Sequence, residues 1–196
     1  PAEPAEMFIE GYRALFDAHR SEDLIAEVSS ALEEWEKGEK RRCEALYMVA
    51  KSHTKLRRHS EGASWYKRIL EECAERDSYV LKALYVGGRG FWNAGKRDKA
   101  LEWFEKLWTE FPKHSYADDT MYFAARIRLE REEWDAANDR LVKQLERYPD
   151  GDMAKDAHWL LVRRMLAGDE HQEVVDYVEN LDSTGENDIY SPGRPD

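Results

Sequence analysis

The feature that most constrains this chain is an internal repeat near 37 residues. Phe111-Pro112-Lys113-His114-Ser115-Tyr116-Ala117-Asp118-Asp119 aligns with Tyr148-Pro149-Asp150-Gly151-Asp152-Met153-Ala154-Lys155-Asp156 at an offset of 37. Ala100 and Ala137 keep the same offset, and each is followed four positions later by a bulky residue, Phe104 and Leu141. Gly62 and Tyr66 continue the series one unit earlier at an offset of 38, and Val174 and Val178 continue it one unit later without the small residue. A unit of this length cannot bury its own apolar face alone, so neighbouring units must stack to make a continuous core.

The pattern inside a unit is helical. Leu81, Leu84, Tyr85 and Gly88 fall at i, i+3, i+4 and i+7, which is one helix face. Gly95-Lys96-Arg97-Asp98 reads as a tight connection, with Asp98 as the expected cap of the following helix. Ala100, Leu101, Phe104, Leu107, Trp108 and Phe111 form the next stripe, and Pro112 stops it, because proline clashes with the preceding turn. Each unit is therefore helix, turn, helix, stop. This predicts an all-α solenoid of about five antiparallel hairpins, at 7–37, 40–75, 78–111, 115–148 and 152–182. Residues 1–6 are expected to be a disordered lead-in, 7–182 the helical-repeat region, and 183–196 an irregular tail, continuing into a region beyond this chain.

Composition fits this architecture. Charged residues make up 36% and apolar residues 42% of the 196, which suits thin helices with one wet face. The net charge of −11 sets an average field that repels nucleic acid. The longest uncharged stretch of consequence, Ser78 to Gly88, is broken by Lys82, so membrane insertion is not expected. No basic-then-apolar signal segment opens the chain.

The pattern resembles the tetratricopeptide repeat (TPR). The resemblance rests on Gly88, Phe91, Gly95, Ala100, Phe104 and Pro112 in one unit and on Ala125, Ala137, Leu141 and Pro149 in the next. The junction phrases at Phe111–Asp119 and Tyr148–Trp159 also look like those of bacterial envelope repeat proteins. They are similar to the superhelical region of soluble lytic murein transglycosylases and to outer-membrane assembly lipoproteins, the run from Tyr116 through Arg164 looking closer to the former. The resemblance implies a periplasmic or cell-envelope location. It implies a non-catalytic scaffold that positions peptidoglycan or a separate catalytic domain. The alternative is an adaptor holding a protein or peptide partner in a concave groove. The Glu-Ser and Gly-Leu-Met-Gln signature of the transglycosylase domain is absent, so no catalytic residue carries over and this chain by itself is not expected to be an enzyme.

The repeat register also yields the candidate binding residues. One equivalent position in the first helix of the last four hairpins holds Tyr47, Tyr85, Tyr122 and Trp159, and four residues later stand Lys51, Arg89, Arg126 and Arg163. A spacing of i, i+4 sets each cation beside its aromatic. First helices line the inner surface in the tetratricopeptide family, so a ladder of aromatic and basic side chains is expected there. Such a ladder suits glycan faces by stacking and carboxylates by arginine pairing. The plainer reading is that these rings and cations stabilise their own helices.

Other constellations carry less. Gly90-Phe91-Trp92-Asn93-Ala94-Gly95-Lys96 has the spacing of a phosphate loop but lacks the preceding strand and the Ser or Thr after the lysine. The six histidines form no zinc pattern, and no metal or cofactor is implied. His53 and His158 fall on helical stripes and are expected to be packed or partly exposed. Carboxylate pairs such as Glu33-Glu34 and Glu132-Glu133 read as solvated faces. Cys43 begins one helix and Cys73 ends the next, so an antiparallel hairpin brings them near enough for a disulfide in an oxidising compartment. Two buried free thiols is the commoner reading for such residues. Trp65, Trp103, Trp134 and Trp159 are expected in the core, and Trp92 and Trp108 partly exposed.

Overall fold

The computed structural model describes residues 4–75 and 77–183. Every regular element among them is helical. In chain order these are α1 (Pro4–Asp17), α2 (Ser21–Ala31) with a 3-10 turn at Leu32–Glu34, α3 (Lys40–Lys55), α4 (His59–Glu72), α5 (Asp77–Asn93), α6 (Arg97–Glu110), α7 (Ser115–Glu130), α8 (Trp134–Arg147), α9 (Ala154–Ala167) and α10 (His171–Ser183). They pair as the hairpins the repeat predicts. Helix α1 opens at Pro4, inside the stretch 1–6 expected to be disordered. Residues 1–3 and the expected tail beyond Ser183 lie outside the described residues. Helix α6 ends at Glu110, ahead of Pro112, as the stop signal requires.

The five intra-hairpin turns share one backbone device. His19, Arg57, Gly95, Glu132 and Asp169 all adopt positive φ, between 57° and 77°. In each turn the next residue donates its N–H back to a carbonyl five positions earlier: Arg58 to His53 at 2.9 Å, Lys96 to Phe91 at 2.8 Å and Glu133 to Arg128 at 3.0 Å, with Arg20 to Leu15 and Glu170 to Met165 likewise. This is the Schellman closure, which satisfies the last orphan carbonyls of the first helix with a left-handed residue just past its end. Asp98 is not the cap expected of it. The capping position is Lys96, and Asp98 lies in the first turn of α6, where its charge favours the helix dipole.

The chain divides into two compact units, Pro1–Phe111 and Pro112–Asp196. In the first, small residues let helices approach. A methyl group at Gly87 would sit 2.2 Å from Trp103 Cζ3, and one at Gly88 would sit 2.5 Å from Phe104 Cε1. That close approach is what the small-then-bulky spacing encodes. Cys43 and Cys73 are fully buried and joined by a disulfide across a separation of 30 residues, with their Cα atoms 5.9 Å apart. The reading of free thiols is corrected here: the antiparallel α3–α4 hairpin brings the two ends to bonding distance.

Beside that bond stands a buried charge node. The Arg42 guanidinium donates to Glu72 at 2.6 Å, to the Trp35 carbonyl at 2.9 Å and to the Leu32 carbonyl. Arg68 donates to the other Glu72 oxygen at 2.8 Å. The 3-10 turn that ends the first hairpin is thus tied to the second. Burial raises the Glu72 pKa and the two arginines lower it, the net direction being down from its ordinary value.

In the second unit Ala125, Leu141, Ala157, Leu160 and Leu161 form the core, with Tyr122, Leu129, Leu145 and Tyr177 packed against it. The buried Asp118 carboxylate accepts from the Gln144 amide at 2.6 Å and from the Met153 backbone N–H at 2.9 Å. It fixes the loop between α8 and α9, where a methyl group at Gly151 would lie 2.2 Å from Asp118 Oδ2. The Tyr148 hydroxyl donates to the Pro112 carbonyl at 2.7 Å, so the two repeated junctions are bonded to each other.

Candidate functional site

The candidate positions fall on the first helices of four hairpins, as the register requires, two pairs in each unit. In the second unit the Arg163 guanidinium lies 4.5 Å over the Trp159 ring and the Arg126 guanidinium 5.9 Å over Tyr122. Both arginines are exposed. Trp159 is 51% exposed, against the expectation of a core residue. The tyrosine is different. Tyr122 packs on the Ala125–Leu161 core, burial pushes its phenol pKa up, and Arg126, Arg163 and Asp156 act on it electrostatically. The second-unit pairs are therefore mixed: one ring faces solvent and the other belongs half to the core.

In the first unit α3 packs against α5, and the two helices present one face together. Arg89 lies 5.8 Å from the Tyr85 ring, as the i, i+4 spacing predicts. The Tyr47–Lys51 pair does not form. Lys82 of α5 takes that place, its ammonium 5.2 Å from the Tyr47 ring and 5.9 Å from the Tyr79 ring. Tyr79 stands 6.3 Å from Tyr47. Lys51 is half-buried. Burial lowers its pKa, and nearby Lys55 and Arg89 lower it further. Among the described residues no carboxylate lies within ion-pair distance of Lys51 or Lys82. Tyr79 and Lys82 were not among the predicted residues. Their signal was the i, i+3 spacing through Tyr79, Lys82 and Tyr85, on the turn that precedes Arg89.

Several neighbouring expectations resolve here. Trp103 is buried as expected and Trp65 half-buried, while Trp134 is 45% exposed. Trp108, expected to be partly exposed, is buried, and Trp92 is half-buried. His53 is packed in a stack with Trp65, and burial lowers its pKa, with Arg58 adding to the effect. His158 Nδ1 hydrogen-bonds the Tyr177 hydroxyl at 2.6 Å. Gly90 to Lys96 runs along the end of α5 into its turn, so the phosphate-loop spacing has no loop to act in. Among the described residues no group of three or more His, Cys, Asp or Glu side chains is placed to hold a metal ion, and no helix is long and apolar enough to cross a membrane.

No family model matches the sequence, and no curated protein matches it. Solved structures do match. The TPR-like repeats of a kinesin light chain from Podosopora anserina superpose with a TM-score of 0.67 at 13% identity, covering 93% of this chain and 96% of that one. MamA from Desulfovibrio magneticus RS-1 superposes with a TM-score of 0.68 at 13% identity, covering 95% and 98%. MamA from AMB-1 gives 0.64 at 12% identity, covering 93% and 92%. The fold is that of a TPR-like helical-repeat protein. At such low identity the likeness concerns fold alone, and it carries no resemblance to a transglycosylase.

Proposed function

We propose that this chain is a non-catalytic helical-repeat adaptor that binds a protein or peptide partner on the first-helix faces of its units. The observation that carries the reading is the set of aromatic–cation pairs Tyr85/Arg89, Tyr122/Arg126 and Trp159/Arg163 at equivalent first-helix positions, each with an exposed arginine. Rigid aromatics flanked by arginine are the residue types that dominate binding energy at protein interfaces. The second helices carry the small and bulky residues of the buried crossings, Ala100, Phe104, Ala137 and Leu141, and so hold the fold. The test is selection of random peptides against the purified chain, with binding mapped by hydrogen exchange. Peptides that protect α3, α5, α7 or α9 support the adaptor. Peptides that bind only elsewhere, or none at all, refute it.

A second reading is the superhelical region of a periplasmic murein transglycosylase. The envelope-type junction phrases support it, together with the exposed Trp159 ring, a face on which a sugar can stack, and the Cys43–Cys73 bond, which suits an oxidising compartment. Its test is binding of soluble peptidoglycan fragments to the parent and to Trp159→Ala/Arg163→Ala. Binding lost in a still-helical variant supports it, and absence of binding to the parent removes it.

A further inference from the structure

The local charge on helices α3 and α5 of the first unit runs against that of the chain. Helices α3 and α5 together hold seven Lys and Arg side chains and two carboxylates, Glu44 and Asp77, in a chain of net charge −11. Glu44 is occupied: Arg13 of α1 grips it with two bonds of 2.6 and 2.7 Å. Asp77 sits at the N-terminal end of α5, where the helix dipole accommodates it. Four guanidiniums of this unit, two of them on α3 itself, find carboxylates: Arg41 with Glu39, Arg42 and Arg68 with Glu72, and Arg58 with Glu22. Lys51 and Lys82 do not. Lys51, Lys82 and Arg89 are interleaved with Tyr47, Tyr79 and Tyr85, and Lys55 lies one turn beyond Lys51 on α3.

Lone cations are ordinary on a wet surface, but Lys51 is half-buried and has two further cations as neighbours. Holding a half-buried cation beside two exposed like charges, Lys55 and Arg89, is unfavourable unless an anion joins them. We propose that the α3–α5 face is a docking surface for an acidic peptide segment of a partner protein, with Lys51, Lys82 and Arg89 pairing its carboxylates and Tyr47, Tyr79 and Tyr85 packing along its backbone. The proposal rests on the adaptor reading and gives the partner its chemistry. Charge complementarity also guides encounter: a basic face on an acidic molecule orients an acidic ligand toward one site and repels it from the others. A bound carboxylate supplies the counter-charge that Lys51 lacks, so its pKa rises on binding.

The experiment measures fluorescence anisotropy of a labelled glutamate decapeptide with the full chain, at low and moderate salt. A glutamine decapeptide and a single-stranded oligonucleotide of matched charge serve as controls. Lys51→Gln/Lys82→Gln/Arg89→Gln is compared with Lys67→Gln/Lys106→Gln, which removes two exposed cations from α4 and α6, and helicity of both is checked by circular dichroism. The expected result is binding of the glutamate peptide alone, weakened at least tenfold in the triple variant and unchanged in the control variant. Equal binding of the oligonucleotide would reduce the face to a general polyanion patch and overturn the proposal. So would equal loss in both variants, or no binding to the parent. If peptide selection returns binders that protect α3 or α5 but carry no acidic residues, the adaptor stands and the acidic partner falls. If it returns none, the adaptor falls with it.

Discussion

Reducing the Cys43–Cys73 bond should lower the stability of the unit Pro1–Phe111 by about 3.5 kcal/mol at 25 °C. The bond closes a loop with a sequence separation of 30, which contains most of α3 and all of α4. Cross-linking a loop of about 30 residues removes about 12 cal/mol/K of entropy from the unfolded chain. The folded side changes little, because both sulfurs are buried and the helices that carry them are also joined by Arg42 and Glu72. For a unit of about 100 residues that loss corresponds to a fall in melting temperature of roughly 15 to 20 °C. The assay is thermal melting by circular dichroism of oxidised and reduced parent, with Cys43→Ala/Cys73→Ala as the redox-insensitive reference. The oxidised parent should melt highest, the reduced parent and the variant lower, and only the parent should respond to reductant. Coincident melts of oxidised and reduced parent would refute the argument. So would two titratable thiols in the unfolded, unreduced chain.

Three further outcomes follow from the packing. Gly87→Ala should destabilise by about 1–2 kcal/mol, because the new methyl meets Trp103 and Tyr66, both buried. Gly11→Ala, with nothing within 4 Å, should stabilise by about 0.5–1 kcal/mol through helix propensity alone; chemical denaturation of both reads the opposite signs. Glu132→Gly should stabilise by about 1 kcal/mol, since an exposed residue held at φ 61° gives way to the residue that favours it, whereas Gly95→Ala should cost a similar amount; urea midpoints decide. Arg42→Leu should cost about 3 kcal/mol at pH 7 by leaving Glu72 and two carbonyls short of a buried donor. The folded pKa of Glu72 lies below its ordinary value, so its contribution is full above that value and lost as pH falls through the folded one. The gap between parent and variant should therefore narrow below about pH 4, and a gap that widens in acid would contradict the charge node.

The hairpins were legible because their signal is spacing, and spacing survives changes of residue. Ala100 with Phe104 and Ala137 with Leu141 mark the crossings that the structure buries. The turns were legible only at Gly95. His19, Arg57, Glu132 and Asp169 hold the same left-handed backbone, but their side chains do not announce positive φ, so four of five closures were invisible. Helical stripes place a residue on a face without saying whether anything covers it, and so Trp134 and Trp159 were placed inside and Trp108 outside. The ladder failed at one rung for a related reason. Spacing along one helix put Lys51 beside Tyr47, while the adjacent α5 supplied a competing cation, Lys82, which no single-helix pattern contains. Cys43 and Cys73 could be placed near each other from topology, but only coordinates separate proximity from a bond.

The uniform closure of the hairpin turns has a consequence for how this chain can change length. A Schellman turn admits no extra residue without losing its bonds, so insertions are excluded from 17–21, 55–59, 93–97, 130–134 and 167–171. Among the described residues, the slack lies in the connections between hairpins: 35–39, 73–75, 111–114 and 148–153. Three of these are anchored at one residue each: Trp35 by Arg42, Pro112 by Tyr148 and Met153 by Asp118. Tags, protease sites or grafted binding loops therefore belong at 36–39 and 113–114, clear of those anchors, and a library of random insertions should recover viable chains there first.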